Sequence, residues 1–343
     1  MSVVHRIRLP VGATPMVEVG HAVEPAEVLA TRRPPGAGLT LPVASRLRVA
    51  PADAASWLEV TPGTTLEAGD VLARRGDREL RVPRACLFLA FDRDDGTALV
   101  APLLVSQPIV GHVRGEVTEV EPEAIDIRVA GALVAGVGGS GSAVHGELRV
   151  AVHEPGEELR AGAIDVGATG RILVGGSRAS AETLTRARAM GVAGIVLGGI
   201  LDKELRDFEA TQSRRRQVGG PGGSFAVLLV EGFGKVGFEA ALFAWFRAQD
   251  GRMASLFGDS ARLYVYDADP PPGRRALPRP GDRVIAHRRP FAGLTGQLLR
   301  VLDGMHAAPS GVAARSGLVR FDDGLTAVVA LANLEATEAR EAS

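Results

Sequence analysis

The sequence predicts an α/β plus β multidomain chain. It divides into a β domain over residues 1–165, a small parallel α/β domain over 166–266, a linker over 267–279, a small β barrel over 280–336 and a polar tail over 337–343. Three observations predict this. Arg171–Ile200 reads as strand, glycine turn, helix and strand. Residues 1–165 carry short apolar alternations, rich in Val, Gly and Pro, with no sustained 3.6-residue period, which favours many short strands. Tyr266–Pro280, YDADPPPGRRALPRP, has the composition of a linker.

Length and charge bound the function. A chain of 343 residues holds two or three domains. Its net charge of −1 gives no global attraction to nucleic acid or acidic lipid, so local clusters must carry any such contact. The first twelve residues have no uninterrupted apolar segment, against a signal peptide. No apolar run approaches the ~18–20 residues of a membrane helix. A soluble, cytoplasmic chain with no membrane partner is expected. The single cysteine, Cys86, can build neither a disulfide framework nor a structural zinc site. Its apolar neighbours favour a packing role.

In the first half an element repeats. Gly20–Ala30, GHAVEPAEVLA, aligns without gaps on Gly63–Ala73, GTTLEAGDVLA, and a third copy is Gly156–Ile164, GEELRAGAI. Each reads as a turn, a buried aliphatic anchor, a second turn and a strand. Gly63–Ala73 resembles the hairpin of biotinyl/lipoyl-type barrel-sandwich hybrid domains. Gly111–Val120 followed by Ala124–Val129 is similar to the strands of such folds. The resemblance implies a barrel-sandwich-like β domain. Carrier domains of that type hold their cofactor on a lysine, and no lysine precedes Lys203. Covalent carriage is therefore set aside, no cofactor is expected, and a scaffold or docking role remains. Gly136–Gly141 fits G-x-G-x-x-G but precedes no helix, and is expected to be a flexible or tight connection.

In the central domain Ser180 stands at a helix N-cap, with Glu182 in the first turn. Leu184, Ala187 and Met190 form an apolar stripe, and Gly191 sits at C′. The βαβ unit implies a parallel sheet. A helix is expected over Lys203–Phe208, a flexible basic loop over Thr211–Gly223, a strand over Ser224–Val230, a helix over Phe238–Arg247 and a strand over Met253–Phe257. Ligands of parallel sheets bind at the C-terminal strand edge, where strand order switches. That edge is expected to carry Gly175, Gly176, Ser177, Arg178, Gly198, Gly199, Glu231, Gly232, Gly234, Lys235 and Gly237, a set suited to a small anionic or phosphorylated ligand. Gly232–Gly237 also fits G-x-G-x-x-G, with Asp259 downstream. With 43 glycines the pattern arises by chance roughly 0.7 times in such a chain, so it does not establish a dinucleotide site. Close strand–helix packing is the alternative use of these glycines. The seven histidines are scattered, and neither His145 with His153 nor Ser140 and Ser142 beside His145 completes a catalytic or metal constellation.

After the linker come Pro280–Ala286, Pro290–Gln297 and Gly317–Gly324. On Gly281, Asp282, Val284, Pro290, Phe291, Gly293 and Gly296 this segment resembles the KOW motif of NusG-type transcription factors and some ribosomal proteins. The resemblance implies an SH3-like β barrel that contacts RNA, a ribonucleoprotein or a transcription complex without catalysis. KOW-like barrels also dock proteins. Arg274, Arg275, Arg279, Arg283, Arg288, Arg289 and Arg300 face one acid, Asp282, over residues 271–300. Guanidinium groups suit phosphate. Asp322 and Asp323 oppose the patch, and Phe291 is its sole aromatic. The expectation is a non-catalytic adaptor touching RNA. An enzyme or sensor binding a phosphorylated ligand at the glycine edge, and a plain protein-docking scaffold, are the alternatives.

Overall fold

The computed structural model describes residues 2–217, 224–273, 277–307 and 313–337. The chain opens with β1 (Ser2–Arg8), β2 (Ala13–Pro15), β3 (Ala22–Val23) and β4 (Val28–Arg32). Residues 36–102 then form a second unit from β5 (Leu39–Pro42), α1 (Val43–Leu47), β6 (Thr65–Leu66), β7 (Val71–Arg75), β8 (Arg78–Arg81), β9 (Cys86–Asp92) and β10 (Thr97–Pro102). The first unit resumes with β11 (Gln107–Val110), β12 (Gly115–Glu121) and β13 (Ala124–Ala135). Its strands pair as β3-β12-β13-β1 and β11-β4-β2, and the second unit's as β5-β10-β9-β6 with the hairpin β7–β8.

Each of these units has its own core. Val23, Leu29, Val117, Ile125 and Ile127 fill the first, and Val43, Leu47, Leu66, Leu72 and Phe88 the second. The expected single β domain is thus two units, one inserted in the other. The repeat explains why. Gly20 and Gly63 hold matching positive φ angles of 89° and 94°. The anchors Val23 and Leu66 are buried, as are the strand pairs Leu29–Ala30 and Leu72–Ala73. In each turn a carboxylate accepts from the main-chain N–H three residues earlier, Glu27 from Glu24 (3.1 Å) and Asp70 from Glu67 (2.7 Å), the side-chain closure that favours acids in turns. Each of these two copies therefore places its anchor and strand pair in one core. The third copy buries Leu159 as its anchor but has Ala163 in place of the acid; its second turn is a 3-10 turn over Ala161–Ala163, and no strand starts at Ile164.

The central sheet begins inside the expected N-terminal domain. At Gly131 (φ 141°) β13 changes partners, from β1 to β22 (Arg262–Tyr266). A Cβ there would lie 2.1 Å from the Val265 carbonyl oxygen. β14 (Gly138–Gly141) and β15 (Ala143–Val150) follow, then β16 (Glu158–Leu159), β17 (Ile172–Val174), β18 (Arg178–Ala179), α2 (Ala181–Ala189), β19 (Gly194–Leu197), α3 (Asp202–Gln217), β20 (Ala226–Leu229), α4 (Ala240–Ala248) and β21 (Met253–Phe257). The order is β14-β20-β19-β17-β15-β21-β22-β13. Val134, Val144, Leu148 and Ile164 share one core with Ile172, Leu197 and Leu228, so no break falls at 165/166.

The βαβ unit forms as its sequence dictates. Ser180 Oγ accepts from Thr183 N at 3.1 Å, and Gly191 takes φ 76°. β15, β17, β19 and β20 are parallel and adjacent in chain order. Strand order therefore does not reverse among them, and the expected switch-point crevice is missing. α3 continues through 211–217, where a loop was expected. Residues 218–223 lie outside the described residues. Gly136–Gly141 is not a loose connection either, since Gly138–Gly141 is strand β14, between β20 and β25 (Ala313–Phe321). A Cβ on Gly139 would lie 2.4 Å from Gly258 O, so glycine lets this strand press against the turn after β21.

The C-terminal unit comprises β23 (Arg283–Ala286), β24 (Thr295–Ala307), β25, β26 (Thr326–Ala330) and β27 (Leu334–Ala336), antiparallel in the order β27-β23-β24-β25-β26. Val284, Leu298, Val319, Phe321 and Val329 form its core. Its turn Arg279–Asp282 closes like the N-terminal ones, Asp282 accepting from Arg279 N at 2.7 Å. β25 bridges to β14, and Arg315 N donates to Val137 O at 3.1 Å. The unit is joined to the central sheet by main chain and does not hang on its linker. No described helix is long and apolar enough to cross a membrane.

Candidate functional site

The glycine-rich edge is built of loops that hydrogen-bond one another. Gly175 N donates to Val196 O (2.8 Å), Ser177 N to Glu157 O (2.8 Å) and Gly198 N to Gly176 O (2.9 Å). Glu231 N and Gly232 N share Gly198 O, and Gly234 N reaches Ile200 O at 2.6 Å. The α2 N-terminus is also taken, because Glu204 accepts from Ala181 N at 2.7 Å beside the Ser180 cap. Arg178 pairs with Glu158 at 2.9 Å. These N–H groups already have acceptors, so they do not form an anion cradle of the kind helix starts offer.

The glycines serve close approach. Added Cβ atoms would lie 2.0 Å from Glu157 O at Gly176, 2.4 Å from Val236 O at Gly198, 2.6 Å from Gly234 O at Gly199 and 2.7 Å from Pro155 O at Gly237. Gly232, by contrast, has open space around it. Glu231 turns to a separate hollow of about 230 Å³ shared with Glu239 and Glu335.

What remains at this edge is a cleft of about 580 Å³ against the C-terminal unit. Leu201, Asp202, Lys203, Phe233 and Gly234 line one wall, and His287, Arg288, Arg289 and Asn333 the other. Gly234 and Arg288–Arg289, expected in two different sites, thus meet in one. Arg288 Nη2 donates to Phe233 O at 2.9 Å, its guanidinium 3.0 Å from where a Gly234 Cβ would stand. Lys203 and Arg289 are exposed. Among the described residues neither has an ion-pair partner. His287 Nε2 lies 2.7 Å from Glu335, and Asp202 Oδ1 is buried with no partner. Three cations therefore share the cleft with Asp202. Lys203 is the member the sequence did not reveal.

The rest of the arginine patch is dispersed. Arg274 and Arg275 lie outside the described residues. Arg283 makes a two-point pair with Asp322 (3.2 and 2.8 Å). Hydrogen bonds from Thr295 first, then Arg283, hold the Asp322 carboxyl below its ordinary range. Arg279 and Arg300 are exposed. Phe291 stacks on the core residue Phe321 at 5.3 Å, so it is half-buried and no open stacking platform. Gly175, Gly176, Ser177, Arg178, Gly198, Gly199, Glu231, Gly232, Lys235 and Gly237 do not line the cleft, though several shape the loops behind it.

Among the described residues no group of three His, Cys, Asp or Glu side chains is placed to hold a metal ion. The buried His5 bonds Tyr264 Oη at 2.9 Å, and burial first, then Arg262, lowers its pKa to about 4. It is neutral near pH 7 and ties β1 to β22. Compared with known proteins, the chain matches no family model and no curated protein sequence.

Proposed function

We propose that this chain is a non-catalytic adaptor whose C-terminal barrel, KOW-like by sequence, contacts single-stranded RNA along the cleft shared with the central sheet. One observation carries this reading. Lys203 of the central domain joins Arg288 and Arg289 in one concave surface. Phosphate contacts of this kind position a strand without reading its sequence. The test is a fluorescence-anisotropy titration of labelled single-stranded RNA at several salt concentrations. Each phosphate contact contributes a slope of about −0.7 in log K against log salt. Lys203→Ala with Arg289→Ala should reduce the slope by about 1.4 and leave the fold intact, since both side chains are exposed. Absence of wild-type binding at low salt removes the proposal.

The cleft volume favours a second reading, a small phosphorylated ligand, because about 580 Å³ lies within the size range of small-molecule sites. A thermal-shift screen with nucleotides and sugar phosphates separates the two. A stabilising shift lost in the Lys203→Ala/Arg289→Ala protein supports the small ligand, and no shift at high ligand concentration rejects it.

A further inference from the structure

A second cleft, of about 480 Å³, opens at the neck where the 36–102 unit leaves the first β unit. The neck is two chain segments held together, Gly36 N donating to Pro102 O at 2.8 Å and Leu104 N to Pro34 O at 2.9 Å. One wall carries Thr31 and Arg32, at the end of β4. The facing wall carries Thr65 and Leu87 of the inserted unit, with Val11 and Leu103 at the sides. Its charges are not balanced. Arg33 pairs with Glu67 across the mouth at 2.6 Å. Arg32 is half-buried, its Nε is buried with no acceptor, and among the described residues no ion pair or hydrogen bond reaches its guanidinium. A withdrawn donor without an acceptor is costly and calls for an explanation. Val11 at the side of the cleft is 90% exposed, and Leu87 and Leu103 are half-buried.

We infer that this cleft binds a small organic carboxylate, with its oxygens on the Arg32 guanidinium and its hydrocarbon on Val11, Leu87 and Leu103. The planar guanidinium fork matches a carboxylate. One uncompensated positive charge matches a monoanion. A phosphate dianion would add a second negative charge beside Glu67, and nothing on the wall offsets it. The threonine hydroxyls of both units supply donors for the remaining oxygen lone pairs.

The test is isothermal titration of the full chain with octanoate, octanamide and inorganic phosphate. Octanoate is expected to bind, octanamide to bind at least about tenfold more weakly because the charge-assisted bonds are lost, and phosphate not to bind. Arg32→Met should abolish the preference for octanoate and leave the melting temperature unchanged or raised, since it removes an unmatched donor. The Lys203→Ala/Arg289→Ala protein should bind octanoate as the wild type does, so this site stands or falls apart from the RNA cleft. Equal binding of octanoate and octanamide to the wild type overturns the inference without any substitution. So does octanoate binding of undiminished affinity in Arg32→Met. Phosphate binding without octanoate binding overturns it in favour of a bare oxyanion, and a marked loss of melting temperature in Arg32→Met assigns Arg32 to the fold instead.

Discussion

Replacing His5 with glutamine should remove a defined portion of the chain's acid sensitivity. His5 is 6% exposed, its ring 4.7 Å from Phe257 and 5.1 Å from Tyr264. Its pKa falls from 6.5 to about 4 on folding. Between those values the unfolded chain binds the proton and the folded chain does not, so stability rises with pH across the window. It is intact above about 6.5 and erodes as pH falls toward 4. Linkage over these two pKa values gives a loss of about 2–3 kcal/mol between about pH 7 and about pH 4.5. A glutamine side chain at this position can still bond Tyr264 Oη but does not titrate. The assay is urea unfolding of both proteins, followed by circular dichroism, at the two pH values. Carboxylates elsewhere contribute equally to both proteins and cancel in the difference. The wild type should lose about 2–3 kcal/mol more than His5→Gln. Parallel losses would refute the reasoning, because they would mean that His5 is protonated in the fold or reached by water.

Two further outcomes bear on the glycine edge and on α2. Gly198→Ala should cost about 1–3 kcal/mol, the range for overpacking, because its Cβ meets Val236 O, while Gly232→Ala should stay within about 0.5 kcal/mol; thermal melts of the two proteins decide, and equal values would contradict the close-approach account. Ser180→Ala should lower stability by about 1 kcal/mol through loss of its bond to Thr183 N, read from the urea midpoint at unchanged slope.

Local chemistry was legible in the sequence and long-range pairing was not. Ser180, the Leu184–Ala187 stripe and Gly191 each act within a few residues, and the βαβ unit formed from them. The repeat was legible too, since its glycines and closing acids are neighbours. The assignment of β14 and β15 was not, because their partners, such as Ser255 opposite His145, lie far along the chain. The last turns of α3 were hidden because TQSRRRQ has no apolar period, though Gln and Arg are good helix formers. The edge glycines misled for a physical reason. A ligand and a neighbouring carbonyl both require a missing Cβ, and composition does not distinguish Gly198 beside Val236 O from Gly198 beside a phosphate. Nothing near Lys203 in the chain marks it as part of a site. It becomes significant only when α3 starts opposite the Arg288–Arg289 segment.

The two-stranded neck at residues 34–36 and 102–104 has a consequence for how such a chain is assembled over evolutionary time. Entry and exit lie side by side, so a short splice can close the first unit without the second, and one recombination event can add or remove the whole insert. The crevice between host and insert exists in neither piece by itself. A single insertion of this kind creates a new concavity at once, here with Arg32 contributed by the host and Thr65 and Leu87 by the insert.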